Sequence, residues 1–219
     1  MNWLSQNLDN IGELTLTHLL LTVPAVLLSL LIALPIGWLA HRWQLGGGLI
    51  LVLVGVIYAI PSLPMFIIVP SVLGIGLRSN ATMIIVLTAY GVALLSRTVA
   101  DAFASVPGET RRAATGIGYS DTRRFFTVDL PLAAPVILAG LRVVVVSTVS
   151  LVTVGAVVGI QSLGTLFTDG FQRGIFASVL TGLVLTVALA LLLDALCLLA
   201  GRILLPWQRA DTYRREVLR

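Results

Sequence analysis

The stretch Pro107-Gly108-Glu109-Thr110-Arg111-Arg112-Ala113-Ala114-Thr115-Gly116-Ile117-Gly118, continuing Tyr119-Ser120-Asp121-Thr122-Arg123-Arg124-Phe125-Phe126-Thr127-Val128-Asp129-Leu130-Pro131, is the longest polar passage in the middle of an otherwise apolar chain. Pro107 suits a helix start, because the first turn does not need its amide hydrogen. Glu109 then falls in the first turn, where the helix dipole favours a carboxylate. Ala113 and Ala114 are small enough for another backbone to approach, and Gly118 permits a sharp turn. Ser120 and Asp121 read as a fresh helix cap. A short amphipathic helix carrying Arg123, Arg124, Phe125 and Phe126 is predicted to follow, ended by Leu130-Pro131. Two short helices with an elbow between them make a projecting cationic and aromatic knob, suited to a groove on another protein.

Apolar runs surround this passage. Of 219 residues, 58% are hydrophobic and 11% charged, with a mean hydropathy of +1.02; a soluble domain usually carries about 25% charged residues. A core of this length cannot hide so much apolar surface, so the excess must face lipid. A spanning helix needs about 20 apolar residues. The charge-free run Leu14 to His41 predicts a helix over roughly 17–40. The run Trp43 to Leu77 predicts one over roughly 48–68, bent near Ile60-Pro61-Ser62-Leu63-Pro64, then an outer loop or short re-entrant piece. Further helices are expected over about 79–104, 132–158 and 174–203, with a loop containing Asp169 and Arg173 before the last. The reading is an all-α, polytopic membrane protein of about five transmembrane helices. Residues 1–219 form a single domain, with a loop at 107–131 and a polar tail at 206–219.

All fourteen basic residues are Arg. A Walker A loop, which needs Lys, is excluded, and with it ATP hydrolysis by this chain. Schiff-base chemistry is excluded too. The single Cys197 can form no internal disulfide, and His18 and His41 have no partner at metal-ligand spacing. A net charge of +4 without a basic patch interleaved with aromatics does not point to nucleic acid. The N-terminus lacks the positive region of a signal peptide, so the first apolar run is expected to stay. Cytoplasmic loops collect Arg. With the N-terminus outside, inner loops hold Arg42, Arg111, Arg112, Arg123 and Arg124, and the tail adds Arg202, Arg209, Arg214, Arg215 and Arg219. Outer loops hold Arg78 and Arg173. N-out, C-in is therefore expected, and Trp38, Trp43 and Trp207 fall near the inner interface.

Arg142 and Asp194 lie inside spans, where charges usually pair or face water; they are either a structural pair or a pathway element. Tyr58, Phe66 and Tyr90 could offer cation–π surface to a passing organic cation, or simply pack. Pro61, Ser62 and Pro64 mark a bend that is either a gating hinge or an ordinary kink.

The passage 107–131 resembles the EAA loop of ABC-importer permeases: Glu-Ala-Ala, three residues, Gly, nine residues, Ile, one residue, Leu-Pro. Ala113, Ala114, Gly118, Leu130 and Pro131 match at that spacing, Val128 takes the Ile position, and Arg112 stands where the family has Glu. Ile60-Pro61-Ser62-Leu63, Pro135 to Arg142 and Leu163-Gly164 extend the resemblance to the glycine betaine/carnitine/choline permeases. The resemblance implies a type I importer permease fold and a loop that docks on a separate ABC ATPase. In that loop Gly118 would set the elbow and Arg123 to Phe126 would make contact. Glu109 would replace the missing Glu one turn earlier. It also implies a second permease subunit, homo- or heterodimeric, and an external substrate-binding protein. No cofactor is expected on this chain, ATP and magnesium being held by the partner. The expected function is uptake of a compatible solute such as glycine betaine, carnitine or choline. The alternatives are a permease for another small solute such as an amino acid, an ion-coupled secondary transporter, and a membrane anchor.

Overall fold

A computed structural model describes residues 2–43 and 45–207; the expected tail arginines Arg209, Arg214, Arg215 and Arg219 lie outside the described residues. Among the described residues there is no strand. A short α1 (Asn2–Gln6) precedes α2 (Leu8–Arg42), a 35-residue helix about 52 Å long at 1.5 Å per residue. It begins well before the expected residue 17. The reason is packing: Ile11 and Leu14 are buried against Leu163, Leu166 and Leu189, so the helix is useful beyond its charge-free run. Asp9 in its first turn meets the favourable end of the dipole.

The expected helix over 48–68 is two helices, α3 (Gly47–Ala59) and α4 (Ser62–Leu73), bent by 106°. Pro61 forces Ile60 out of the helical region (φ −71°, ψ 129°) and brings no amide hydrogen of its own. The pair still carries the chain from one end of the bundle to the other. Gly47 packs on the Ala40 backbone beside the end of α2, while Arg78, just beyond α4, lies against Gly159 at the far end of the helical rod that spans 121–158. Counting the bent pair as one span gives five crossings; four single helices are long and apolar enough on their own.

Helix α5 (Asn80–Ala104) is the most enclosed span, capped by Ser79 Oγ, which accepts from the Thr82 amide. It lies close against α2 because small residues face each other. A Cβ on Gly91 would collide with Ser29 Oγ, and Ser29 donates to the carbonyls of Ala25 and Thr88. Small residues and interhelical hydrogen bonds hold helices together where lipid offers no hydrophobic drive. His18, buried on α2, bonds the Val149 carbonyl at 3.1 Å.

After α6 (Gly108–Gly116) the chain enters α7 (Asp121–Arg124), a π-helical turn (Phe125–Asp129), α8 (Leu130–Val154) and a 3₁₀ turn (Gly155–Val158) as one 38-residue helical rod. Leu130-Pro131 therefore does not end the amphipathic helix as expected. The π turn, with Leu130 N–H bonded to Phe125 O, widens the rod where the proline enters, so the helix continues past a residue that would break an α-turn. The expected loop at 159–173 also contains a helix, α9 (Gly164–Gln172), buried through Leu166 and Gly170. The last span, α10 (Phe176–Leu204), is almost entirely unburied, leaving most of its surface for lipid or another subunit.

Candidate functional site

Helix α6 ends as the elbow requires. Gly118 adopts φ +89°, Tyr119 N–H bonds Ala114 O at 3.1 Å and Gly118 N–H bonds Thr115 O at 3.0 Å. This is a Schellman closure, which needs a left-handed residue at Gly118. Ser120 Oγ then accepts from the Arg123 amide at 3.3 Å and starts α7.

Behind the elbow lies a polar clasp. Arg111 Nε donates to Asp129 Oδ1 at 3.0 Å, a second nitrogen contacts His41 Nε2 at 3.0 Å, and the third donates to the Phe103 carbonyl. Asp129 is 6% exposed. Its other oxygen receives Arg124 Nε at 3.5 Å, and Arg124 also reaches Thr115 Oγ1 (3.0 Å) and Asp121 (3.3 Å). Asp121 in turn meets Arg42 at 3.1 Å. One arginine thus ties α6 to the ends of α2 and α5 and to the start of α8. Rigid, multidentate recognition of this kind suits guanidinium rather than ammonium. Phe125 closes the clasp from below, edge-on to Trp38 (5.3 Å) and beside Phe103 (5.7 Å).

The passage therefore has two faces. Glu109, Arg112, Ala113, Gly118, Arg123 and Phe126 are exposed, with the Arg123 guanidinium 4.4 Å over the Tyr119 ring. Ala114 is buried, and Arg124, Phe125, Leu130 and Pro131 are half-buried, turned toward their own chain. Sequence reasoning missed the roles of Asp129, His41 and Thr115, read Asp121 only as a helix cap, and read Arg42 and Arg111 only as inner-loop charges. A usable signal was present: an acid at the mouth of an apolar span needs a nearby cation, and Asp129 precedes α8.

Within the spans, Arg142 and Asp194 meet in a bidentate pair, Nε to Oδ1 at 2.7 Å and a terminal nitrogen to Oδ2 at 2.8 Å. This fork-to-fork geometry fixes the guanidinium and the carboxylate relative to each other and fastens the sparsely buried α10 to α8. Tyr58, Pro61, Ser62 and Tyr90 come together around a chamber of about 470 Å³ at the α3–α4 break, joined from α8 by Ser147 and Ser150. The tyrosine rings are edge-on, 6.0 Å apart, and Tyr90 O–H donates to the Ile60 carbonyl exposed by the bend. Phe66 is not part of this group; it is fully buried in the core with Met83 and Leu87. Among the described residues no cluster of His, Cys, Asp and Glu could hold a metal.

A helical bundle of four or five crossings, with a clasped two-helix loop at one end, fits a membrane-embedded subunit. Residues 14–207 match the family described as "Binding-protein-dependent transport system inner membrane component", and the chain belongs to that family. It is 31% identical to the osmoprotectant import permease protein OsmW of Salmonella typhimurium, covering 89% of this chain and 93% of the relative. It is 30% identical to the choline transport system permease protein OpuBB of Bacillus subtilis, over 90% and 91%. Among solved structures it shares the fold of a chain of the MetNI methionine ABC transporter in an inward-facing conformation, with a TM-score of 0.74 at 21% identity, over 90% and 94%. The chain is thus an inner-membrane permease subunit of an ABC importer, and ATP hydrolysis falls to a partner ATPase.

Proposed function

We propose that this permease carries a quaternary-ammonium compatible solute, such as glycine betaine, carnitine or choline, and that residues 107–131 are its coupling loop. Two permease subunits enclose the path, in a homodimer or a heterodimer, with an external binding protein delivering solute. The loop of each subunit sits on a cytoplasmic ATPase that holds the ATP and magnesium. The observation that carries this reading is the two-faced loop. Arg112, Arg123 and Phe126 project outward for a partner, while the Arg111–Asp129 clasp makes the loop move with α2, α5 and α8. Closure of the ATPase dimer then shifts the bundle rather than bending a loop. An N-out, C-in orientation puts this loop inside, supported by the arginine-rich end it shares with Arg42 and by Arg78 lying at the opposite end. The names of the relatives support the solute class.

Co-purification with a Walker-motif ATPase tests the partnership, and proteoliposome uptake of labelled glycine betaine, carnitine and choline tests the solute. Gly118→Val is expected to lower uptake per ATP hydrolysed by about ten-fold or more while the subunit remains inserted, because a β-branched residue resists φ +89°. Unchanged coupling in that variant contradicts the role given to the elbow.

A further inference from the structure

The chamber at the α3–α4 break has an unusual wall for a membrane interior. Elsewhere in the spans Thr22, Ser29 and Ser96 each donate to the carbonyl four residues earlier, and the Thr88 and Thr186 hydroxyls, which find no partner, are buried away from any opening. Such back-bonding is how a hydroxyl survives in an apolar setting. Ser147 and Ser150 line the chamber, and among the described residues neither hydroxyl enters a hydrogen bond. Ser150 is exposed and Tyr58 is half-exposed on the same opening. Free hydroxyls belong to a surface that meets water or a polar solute, not one that meets acyl chains. The volume of about 470 Å³ falls in the range of small-ligand pockets.

The chemistry of the wall selects its occupant. Every lining side chain is uncharged. A solute held here must carry its own counter-charge or bear its charge diffusely. The Tyr90 hydroxyl is committed to the Ile60 carbonyl, so that residue offers the chamber its ring; Tyr58 stands edge-on beside it. Aromatic faces attract quaternary ammonium groups, which have no N–H donors to satisfy. Serine hydroxyls can donate to a carboxylate.

Resting on the reading of the chain as a quaternary-ammonium importer, we propose that this chamber is an intramembrane subsite for a net-neutral betaine-type zwitterion. Tyr58 and Tyr90 face its ammonium head, and Ser147 and Ser150 donate to its carboxylate. The site extends over α8, which the bend alone does not identify, and it excludes Phe66.

The test uses the complete permease–ATPase complex in liposomes, with the sole cysteine removed (Cys197→Ser) and Ser150→Cys introduced. Reaction with a water-soluble trimethylammonium-ethyl thiosulfonate is compared with that of methyl methanethiosulfonate, each normalised to a free thiol. The cationic reagent is expected to gain about ten-fold over the neutral one, about 1.4 kcal/mol, and millimolar glycine betaine should slow it several-fold. Adding Tyr58→Leu should abolish the preference, whereas Tyr58→Phe, which keeps the ring, should retain it. A cysteine inert to the cationic reagent, or a preference that survives Tyr58→Leu, overturns the subsite. Uptake of glycine betaine is measured on the unmodified complex with its binding protein. Normal uptake without protection of the cysteine overturns the subsite alone. A protected, cation-preferring cysteine in a complex that moves none of these solutes upholds the subsite and overturns the assignment of a quaternary-ammonium compound as the transported solute.

Discussion

Arg111→Ala is expected to separate ATP hydrolysis from transport. The guanidinium bridges Asp129, His41 and the Phe103 carbonyl, so its loss removes the link between α6 and three other helices at once. Breaking a fully buried pair costs about 3–5 kcal/mol. Arg111 is partly solvated, with its side chain 24% exposed, and Arg124 remains near Asp129. A cost of about 2 kcal/mol is therefore reasonable after allowance for screening. That shifts the balance between seated and unseated loop by roughly thirty-fold. Uptake per ATP hydrolysed should fall by at least about ten-fold, and residues 107–131 should become more open to limited proteolysis. Arg111→Lys should recover only part of the loss, since a single ammonium on a flexible stem cannot hold three partners in a plane. Arg112→Ala, at the exposed neighbouring position, should leave proteolysis of the loop unchanged. Normal coupling in Arg111→Ala removes the clasp from the mechanism.

The second large effect is expected at the Arg142–Asp194 pair. Asp194→Leu alone leaves a cation inside a span without its acceptor, and Arg142→Leu alone leaves an unpartnered carboxylate. Each should reduce the yield of monodisperse protein several-fold and lower its Tm, because unpaired charges are poorly tolerated in the membrane. The double variant Arg142→Leu/Asp194→Leu should recover most of that loss, as apolar replacement of a whole pair is often neutral or better. The swap Arg142→Asp/Asp194→Arg should recover part of it, limited by the two-point geometry at 2.7 and 2.8 Å. Uptake separates the two readings of the pair. Transport restored along with assembly in the double-Leu variant makes the pair a fastener between α8 and α10. Assembly restored with uptake still lost places it in the pathway. Single variants that assemble normally contradict the fastener reading, and normal uptake in them contradicts the pathway reading too.

Much of this protein can be read from local chemistry. The apolar runs place the long helices, Pro61 announces the bend, and Gly118 with Ser120 announces the elbow. These follow from steric and capping rules that act within a few residues. The misreadings share one cause, which is support from outside the segment. Helix α2 runs back to Leu8 because Ile11 and Leu14 find partners on α9 and α10. Helix α9 forms in an expected loop because Leu166 and Gly170 are buried against the last span. Leu130-Pro131 fails to stop a helix because a π turn absorbs the proline.

The same division runs through the candidate sites. Residues 107–131 were legible as two short helices joined by an elbow because their spacing is a local pattern. Their partition into an outward face and an inward clasp was not, since Arg111 and Arg112 are adjacent in sequence and differ only in what lies behind them. Tyr58, Pro61, Ser62 and Tyr90 could be suspected from residue type, but Phe66 is equally aromatic and lies on the wrong side of the bend. By itself, then, the order of residues settled that the chain lives in lipid, roughly where its long apolar helices lie, and that it hydrolyses no ATP, because lipid solvation and a missing lysine are properties of the chain alone. Only the tertiary structure decided which arginine anchors the loop, which charges pair and which aromatics share a chamber. Those depend on contacts between segments up to 79 residues apart, and no local rule reports on them.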